Sequence, residues 1–314
     1  MYNNKRITVA LPAYNEEALI GKVLAAMPSF VDTVIVVDDG STDSTVAIAT
    51  SHNAIVVSHK KNSGVGASFQ TGVRKALEVG SDIMVNIDAD NQFNPADIVQ
   101  LLDPIIEGRA DFVTASRFKD RNYYPVMSKV KFYGNLFMSK FISKLTGQEF
   151  YDVSCGFRAF SKETLLKLNL YGKFTYTHET FLTLVFQDTH ILEIPVKIRG
   201  TREIGKSKVA SNVIAYGWRT SKIILRTYRD YMPLKLFSFV ALFFMAIAMC
   251  TGGFTLYHFI GTGTFSPYKW VAFLSVATFG FSVLNVLAGF IMESLSNMRR
   301  NQEKILYFLK RASF

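Results

Sequence analysis

Two periodicities alternate along the first part of the chain. Short β-rich runs at Arg6–Leu11, Thr33–Val37, Ala54–Ser58, Asp82–Ile87 and Asp111–Ala115 are each separated by a stretch in which apolar residues recur at helical spacing. Helix starts are marked within those stretches: Asn15 precedes Glu16 and Glu17, Ser41-Thr42-Asp43 precedes the stripe Val46, Ile48 and Ala49, and Pro95 opens Ala96–Glu107. The pattern predicts an α/β fold on a mostly parallel sheet, whose ligands bind beyond the carboxyl ends of the strands. A different pattern follows. Leu236–Tyr257 gives 22 consecutive positions without a charge and Trp270–Met292 gives 23. About 20 helical residues cross a bilayer core, so these runs predict a transmembrane hairpin.

Charge is divided along the same line. Residues 1–120 hold 10 Lys and Arg against 15 Asp and Glu, whereas residues 121–314 hold 25 against 10. The first part suits a metal or a nucleotide and the second an anionic surface. Six Lys and Arg lie in Lys206–Met232 and five in Glu293–Phe314, but one in the connecting loop His258–Lys269, which predicts both ends of the hairpin in the cytosol. The polar N-terminus reads as no signal peptide. Cys155 and Cys250 sit in dissimilar surroundings, so neither a disulfide framework nor a four-ligand zinc site is expected, and the compartment reads as reducing. The five histidines form no metal set.

The strand ends carry the candidate chemistry. Strand one ends in Pro12-Ala13-Tyr14-Asn15-Glu16, strand two in Asp38-Asp39-Gly40-Ser41 and strand four in Asp88-Ala89-Asp90-Asn91-Gln92. Carboxylates gathered on one edge repel unless a cation or donor hydrogen bonds relieve them, and Asp-x-Asp on an extended segment can reach one divalent ion. Singly these motifs are weak, since Asp-Gly-Ser is commonly a turn with a helix cap. Asn62-Ser63-Gly64-Val65-Gly66 is a glycine-rich turn entering a helix. It is not a P-loop, because no Gly-Lys-Ser/Thr closes it.

Taken in order, these motifs with Gly156-Phe157-Arg158 and Arg202-Glu203-Ile204-Gly205-Lys206-Ser207-Lys208 resemble the family 2 glycosyltransferases of the GT-A fold. Within them the likeness is to polyprenyl-phosphate sugar transferases, the dolichyl-phosphate mannose synthase group and its bacterial relatives with two C-terminal membrane helices. It spans essentially the whole chain. The organisation it implies is a GT-A catalytic domain over 1–210, a juxtamembrane amphipathic segment over 211–232, a transmembrane hairpin over 233–293 with spans 236–257 and 270–292, and a cytosolic basic tail over 294–314.

The resemblance also implies site residues. Pro12, Tyr14, Glu16 and Asp39 match positions that hold the nucleotide, with Asp38 a structural or ribose-side partner. Asp88 and Asp90 match the metal motif for Mg²⁺ or Mn²⁺, Asp90 foremost, and Gln92 matches a residue near metal and diphosphate. Arg117 matches an arginine close to the donor and acceptor phosphates, and Arg202, Ser207 and Lys208 match an acceptor- or diphosphate-binding segment. Asp152 aligns with an acceptor-side aspartate, either as general base or as the group that orients Arg158 or a neighbouring helix, and Glu179 with a residue near the sugar. The implied reaction is inverting transfer from a UDP- or GDP-linked sugar to undecaprenyl or dolichyl phosphate at the cytosolic membrane face. A polysaccharide synthase and a catalytically idle scaffold of the same fold are the alternatives.

Two further segments suit the lipid partner. Pro125–Leu145 places Val126, Val130, Phe137, Phe141, Ile142 and Leu145 among Lys129, Lys131, Lys140 and Lys144, and Ser211–Tyr231 sets Trp218, Ile223, Ile224 and Leu225 beside Arg219, Lys222, Arg226 and Arg229. The bilayer gives these basic residues a partner, so no nucleic acid is expected. Copies of the chain could associate through the membrane helices.

Overall fold

A computed structural model describes residues 1–172, 176–199 and 213–314, with the backbone alone at 213–216. The chain divides into two compact units, one of Met1–Ile224 with Tyr307–Phe314 and one of Leu225–Leu306.

Among the described residues of the first unit, seven strands form one sheet: β1 (Ile7–Ala13), β2 (Thr33–Asp38), β3 (Ile55–Ser58), β4 (Ile83–Asn86), β5 (Phe112–Ser116), β6 (Arg158–Ser161) and β7 (Ile191–Pro195). Their order is β3-β2-β1-β4-β6-β5-β7. β6 runs antiparallel to both neighbours and the other pairs are parallel. The five predicted strands are present, and the sequence reading lacked β6 and β7.

Alternation along the strands builds two cores. Ile7, Val9, Leu11, Val36, Val85 and Val113 face one layer, which contains α1 (Ile20–Ala25), α2 (Thr45–Ser51) and α4 (Ile98–Ile106). Ala10, Ile35, Val37, Met84, Phe112 and Phe160 face the other, with α3 (Val65–Glu78), α6 (Lys162–Lys167) and α7 (Thr177–Phe186). α3 lies close on β1 and β2 because Gly72 has no side chain: a Cβ there would stand 3.3 Å from the Ala10 Cβ. α5 (Lys129–Thr146) starts at Ser128, whose hydroxyl caps the Lys131 N–H, and stops at Gly147 with φ +74°. Val130, Tyr133 and Phe137 on α5 are exposed, so the basic amphipathic stretch of the sequence is a helix with an uncovered apolar stripe, but Ile142 of the same stretch is fully buried in the second core and does not belong to that stripe.

α8 (Val213–Tyr231) occupies the expected juxtamembrane segment. In the second unit, α9 (Pro233–Thr262) and α10 (Lys269–Ser313) contain the two uncharged runs and are each long and apolar enough to cross a membrane. Ser275 Oγ donates to the Ala248 carbonyl at 2.9 Å and Ser282 Oγ to the Ala241 carbonyl at 2.8 Å. Small residues spaced by seven, Ala241, Ala248 and Thr255, are buried along this seam. Residues 294–314 are not a separate tail: with no Gly or Pro after Met292 to stop it, the helix continues to Ser313. Within the first unit its last turns close on α6, where Tyr307 donates to Glu163 at 2.6 Å and the Lys310 ammonium donates to the Leu168 carbonyl at 2.9 Å.

Candidate active site

The loops after β1 and β2 are fastened to each other. Asn15 adopts φ +52°, a conformation Asn tolerates, and its backbone N–H donates to Ser41 Oγ at 2.9 Å while its side-chain oxygen accepts the Thr42 N–H at 2.8 Å. The Glu16 N–H donates to Thr45 Oγ1 at 2.8 Å, and Glu17 accepts the Ser44 N–H at 3.0 Å. Pro12, Tyr14 and Glu16 remain half-buried on this edge. Asn15 and Glu16 therefore belong to a preceding loop, and α1 begins only at Ile20.

Asp38 and Asp39 are both buried and do different work. Asp38 accepts the Ser41 N–H at 2.9 Å and holds its own turn. Asp39 accepts the N–H groups of Ser63 and Gly64, both at 2.8 Å, and His59 Nδ1 donates to it at 2.8 Å. The glycine-rich turn is thus suspended from Asp39. His59 Nε2, at 2.9 Å from Thr71 Oγ1, ties the same carboxylate to α3.

Asp88 and Asp90 follow β4, both half-buried. Burial is the first cause that pushes the Asp88 carboxyl up to about 7; the charges of Asp90 and Glu16 add to it, against the pull of Arg117 and Arg158. A carboxyl so placed gains from a cation. Ala89 and Asp90 lie in a turn rather than on the extended segment the sequence suggested, which still leaves two neighbouring carboxylates that fit a divalent ion, and among the described residues no third His, Cys, Asp or Glu completes a cluster. Asp90 accepts the Gln92 N–H at 3.2 Å, and the Gln92 side chain donates to the Arg199 carbonyl at 3.3 Å.

Arg117 leaves the end of β5 and is held by Asp152. Its Nε lies 2.6 Å and its Nη2 2.8 Å from the two carboxylate oxygens, and its backbone N–H is 3.1 Å from Oδ2. Ser154 Oγ accepts from Nη2 at 2.6 Å and donates to Asn135 of α5 at 2.9 Å. Asp152 is fully buried. Burial works to raise its carboxyl, but the Arg117 charge and hydrogen bonds outweigh it and hold the group below the ordinary carboxylate range.

The Asp152 loop returns beneath Asp88. A Cβ at Gly156 would lie 2.8 Å from Asp88 Oδ2, so any larger residue there would push the Asp88 carboxylate aside. Burial pushes the Cys155 thiol up to about 12, which makes it inert, and depresses His178 to about 3, which leaves it neutral. Glu179 accepts the N–H groups of Tyr171 at 3.0 Å and Gly172 at 2.8 Å, which fastens that loop.

The structure thus gathers Glu16, Asp88, Asp90, Gln92, Arg117 and Asp152 about one strand-end edge and sets Asp39 in the neighbouring glycine-loop cluster. Arg202, Ser207 and Lys208 lie outside the described residues. Glu193 and Asn86 went unnoticed in the sequence. The available signal was one polar residue inside each apolar strand, Ile-Leu-Glu-Ile-Pro and Ile-Met-Val-Asn.

Known proteins resemble the chain in sequence and in fold. The chain is 34% identical to a UDP-N-acetylglucosamine–dolichyl-phosphate N-acetylglucosaminyltransferase of Methanococcus voltae, over 62% of this chain and 86% of that protein. It is 30% identical to the polyprenol monophosphomannose synthase of Mycolicibacterium smegmatis, over 67% and 83% of the two chains. An undecaprenyl-phosphate mannosyltransferase of Micrococcus luteus is 27% identical over 67% and 89%. Among solved structures, glucosyl-3-phosphoglycerate synthase from Mycobacterium tuberculosis, in complex with Mn²⁺, UDP and phosphoglyceric acid, aligns with a TM-score of 0.57 at 22% identity over 72% of this chain and 79% of that one, a likeness of fold. Residues 8–168, just over half of the chain, match the description glycosyl transferase family 2, and the chain belongs to that family.

Proposed function

We propose that the chain transfers one sugar from a nucleotide donor to polyprenyl phosphate at the cytosolic face of a membrane, inverting the anomeric carbon. The observation that carries this reading is the meeting of the Asp88–Asp90 pair with the Asp152-held Arg117 guanidinium at one strand-end edge. A departing nucleoside diphosphate and an arriving phosphate both need positive charge at a fixed place. The relatives named for dolichyl-phosphate, polyprenol and undecaprenyl-phosphate chemistry support the acceptor class.

In this reading Pro12, Tyr14 and Glu16 line the nucleotide, and Asp39 shapes its floor through the glycine-rich turn. Asp90 and Asp88, with Gln92 alongside, would hold Mg²⁺ or Mn²⁺. When bound, that ion supplies Lewis-acid stabilisation of the leaving diphosphate. Arg117 orients phosphate oxygens, and Arg202, Ser207 and Lys208 add donors for the acceptor or the diphosphate. Asp152 aims Arg117 and takes no proton, since a phosphate monoester with a second pKa of about 6 reaches the site already largely ionised at pH 7. The basic, apolar faces of α5 and α8 suit an anionic lipid surface, and α9 and α10 anchor the chain with both ends in the cytosol.

The test is a panel of UDP- and GDP-sugars with Mg²⁺ or Mn²⁺, offered polyprenyl phosphate or phosphoglyceric acid as acceptor. Sugar label entering the organic phase only with polyprenyl phosphate is the expected result. Label on phosphoglyceric acid, or on neither acceptor with any donor, would overturn the reading.

A further inference from the structure

One transverse row of the sheet is polar and buried. Strand register pairs Asn86 with Arg158, Arg158 with Thr114, and Thr114 with Glu193, so the four share a face one step below the strand-end edge. The next row down is Met84, Phe160 and Phe112, an apolar core. Asn86, Arg158 and Thr114 are fully buried and Glu193 is 7% exposed. Groups like these are costly to bury unless their donors and acceptors are used.

Glu193, Arg158 and Asn86 use theirs on one loop, whereas Thr114 Oγ1 donates to the Ala115 carbonyl at 3.3 Å, Asn86 Nδ2 also donates to the Tyr176 hydroxyl at 2.8 Å, and Asn86 Oδ1 is buried without a hydrogen-bond partner among the described residues. Glu193 Oε2 accepts the Tyr151 N–H at 2.8 Å and Oε1 accepts the Asp152 N–H at 2.7 Å. Arg158 Nη2 donates to the Val153 carbonyl at 2.9 Å and Nε to the Cys155 carbonyl at 2.7 Å. Asn86 Nδ2 donates to the Gly156 carbonyl at 2.9 Å. Among the described residues Arg158 makes no ion pair with a carboxylate; it lies over the rings of Phe112, Tyr176 and Phe181 and donates a third bond to the Thr177 carbonyl at 3.1 Å. Its charge thus serves loop and helix carbonyls. The acceptors of Glu193 take the start of the loop, and the donors of Arg158 and Asn86 take its end.

We infer that this row is the template of the Tyr151–Gly156 loop, and that Glu193 is a positioning residue for Arg117. Its carboxylate fixes the Asp152 backbone, and Asp152 in turn fixes the Arg117 guanidinium through both oxygens. The other end of the loop brings Gly156 against Asp88, so one element sets both the cationic and the anionic side of the edge. Glu193 itself faces the loop backbone and touches no reacting atom.

The kinetic test rests on the proposed transfer reaction and uses the full chain in detergent or lipid. Glu193→Gln keeps the shape and one acceptor but turns an NH₂ group toward a backbone N–H. It is expected to lower kcat at least tenfold, with KM for the nucleotide sugar within threefold. In an Arg117→Ala background the same substitution is expected to cost less than threefold, because the route through Arg117 is already cut. An equal loss in both backgrounds, or wild-type kcat in the single variant, would overturn the inference. Hydrogen exchange of the wild-type chain needs neither turnover nor a variant: the Tyr151 and Asp152 amides, both held by Glu193, are expected to exchange at least a hundredfold more slowly than those of the exposed Gln148 and Glu149. Equal rates would overturn the inference even in a chain that transfers sugar, and slow rates in a chain without transfer would sustain the template while refuting the proposed reaction.

Discussion

Asp152→Asn separates an orienting carboxylate from a catalytic base. The substitution keeps the side-chain outline but removes the charge that faces Arg117 at 2.6 and 2.8 Å, and one of the two oxygens becomes an NH₂ pointing at a guanidinium N–H. A hydrogen bond to a charged group contributes about 1.5–3 kcal/mol, and breaking a buried ion pair from one side costs about 3–5 kcal/mol. Asp152 is fully buried, but the Arg117 side chain is 18% exposed and can turn toward water, which favours the lower figures. The expected loss is about 2–3 kcal/mol of stability in the catalytic unit, a fall in Tm of roughly 5–10 °C. Its pH dependence has a definite sign. A carboxyl held below its ordinary value contributes stability that is present above about pH 4 and lost as pH falls through the depressed value, so the asparagine variant loses less in acid than the wild type does. Turnover with polyprenyl phosphate is expected to fall about ten- to a hundredfold as Arg117 loses its aim. The assay pairs thermal unfolding from about pH 3 to about pH 8 with steady-state transfer. A loss of turnover beyond about a thousandfold, with Tm and nucleotide affinity unchanged, would make Asp152 the proton acceptor and refute the orienting role.

Three further outcomes are expected. Because the Asp88 carboxyl stands at about 7, Mn²⁺ binding by calorimetry should release close to one proton at about pH 6 and almost none at about pH 8, with affinity falling up to tenfold per unit below 7; pH-independent affinity would remove Asp88 from the ion. Gly156→Ala places a Cβ 2.8 Å from Asp88 Oδ2, so Mn²⁺ affinity and turnover should each drop about ten- to a hundredfold while the fold persists, whereas unchanged titrations would detach Gly156 from the site. In a Cys250→Ser background, Thr264→Cys should react with an impermeant thiol reagent on intact cells and Asn301→Cys should not; the reverse would put the catalytic unit on the wrong side of the membrane.

Local features of the fold were legible, and features that depend on distant partners were not. β1 and β2 announce themselves as apolar runs, and their ends carry turn residues whose partners lie on the adjacent loop. β6 is four residues with an arginine at its head, which reads as surface, because its burial depends on carbonyls of a loop and on rings of Phe112, Tyr176 and Phe181. β7 carries a glutamate and ends in proline, and its pairing with β5 joins residues about eighty apart in sequence. The same distance hid the role of Asp152. The sequence offered Arg158 as the group Asp152 would orient, but Arg158 directs its donors to the carbonyls of Val153, Cys155 and Thr177, and the guanidinium that meets Asp152 is that of Arg117, 35 residues away. Asp39 shows the converse: the family resemblance matched it to a nucleotide position, and the fold shows it suspending the N–H groups of Ser63 and Gly64.

The central claim is that one sugar passes to one polyprenyl phosphate. The most direct measurement is the mass spectrum of the lipid recovered after incubating the chain with polyprenyl phosphate, Mn²⁺ and the nucleotide sugar it consumes. A single new species, heavier than the acceptor by one glycosyl residue, is predicted. A ladder of successive additions would identify a polysaccharide synthase, and an unchanged lipid with the donor consumed would contradict the lipid-phosphate acceptor altogether.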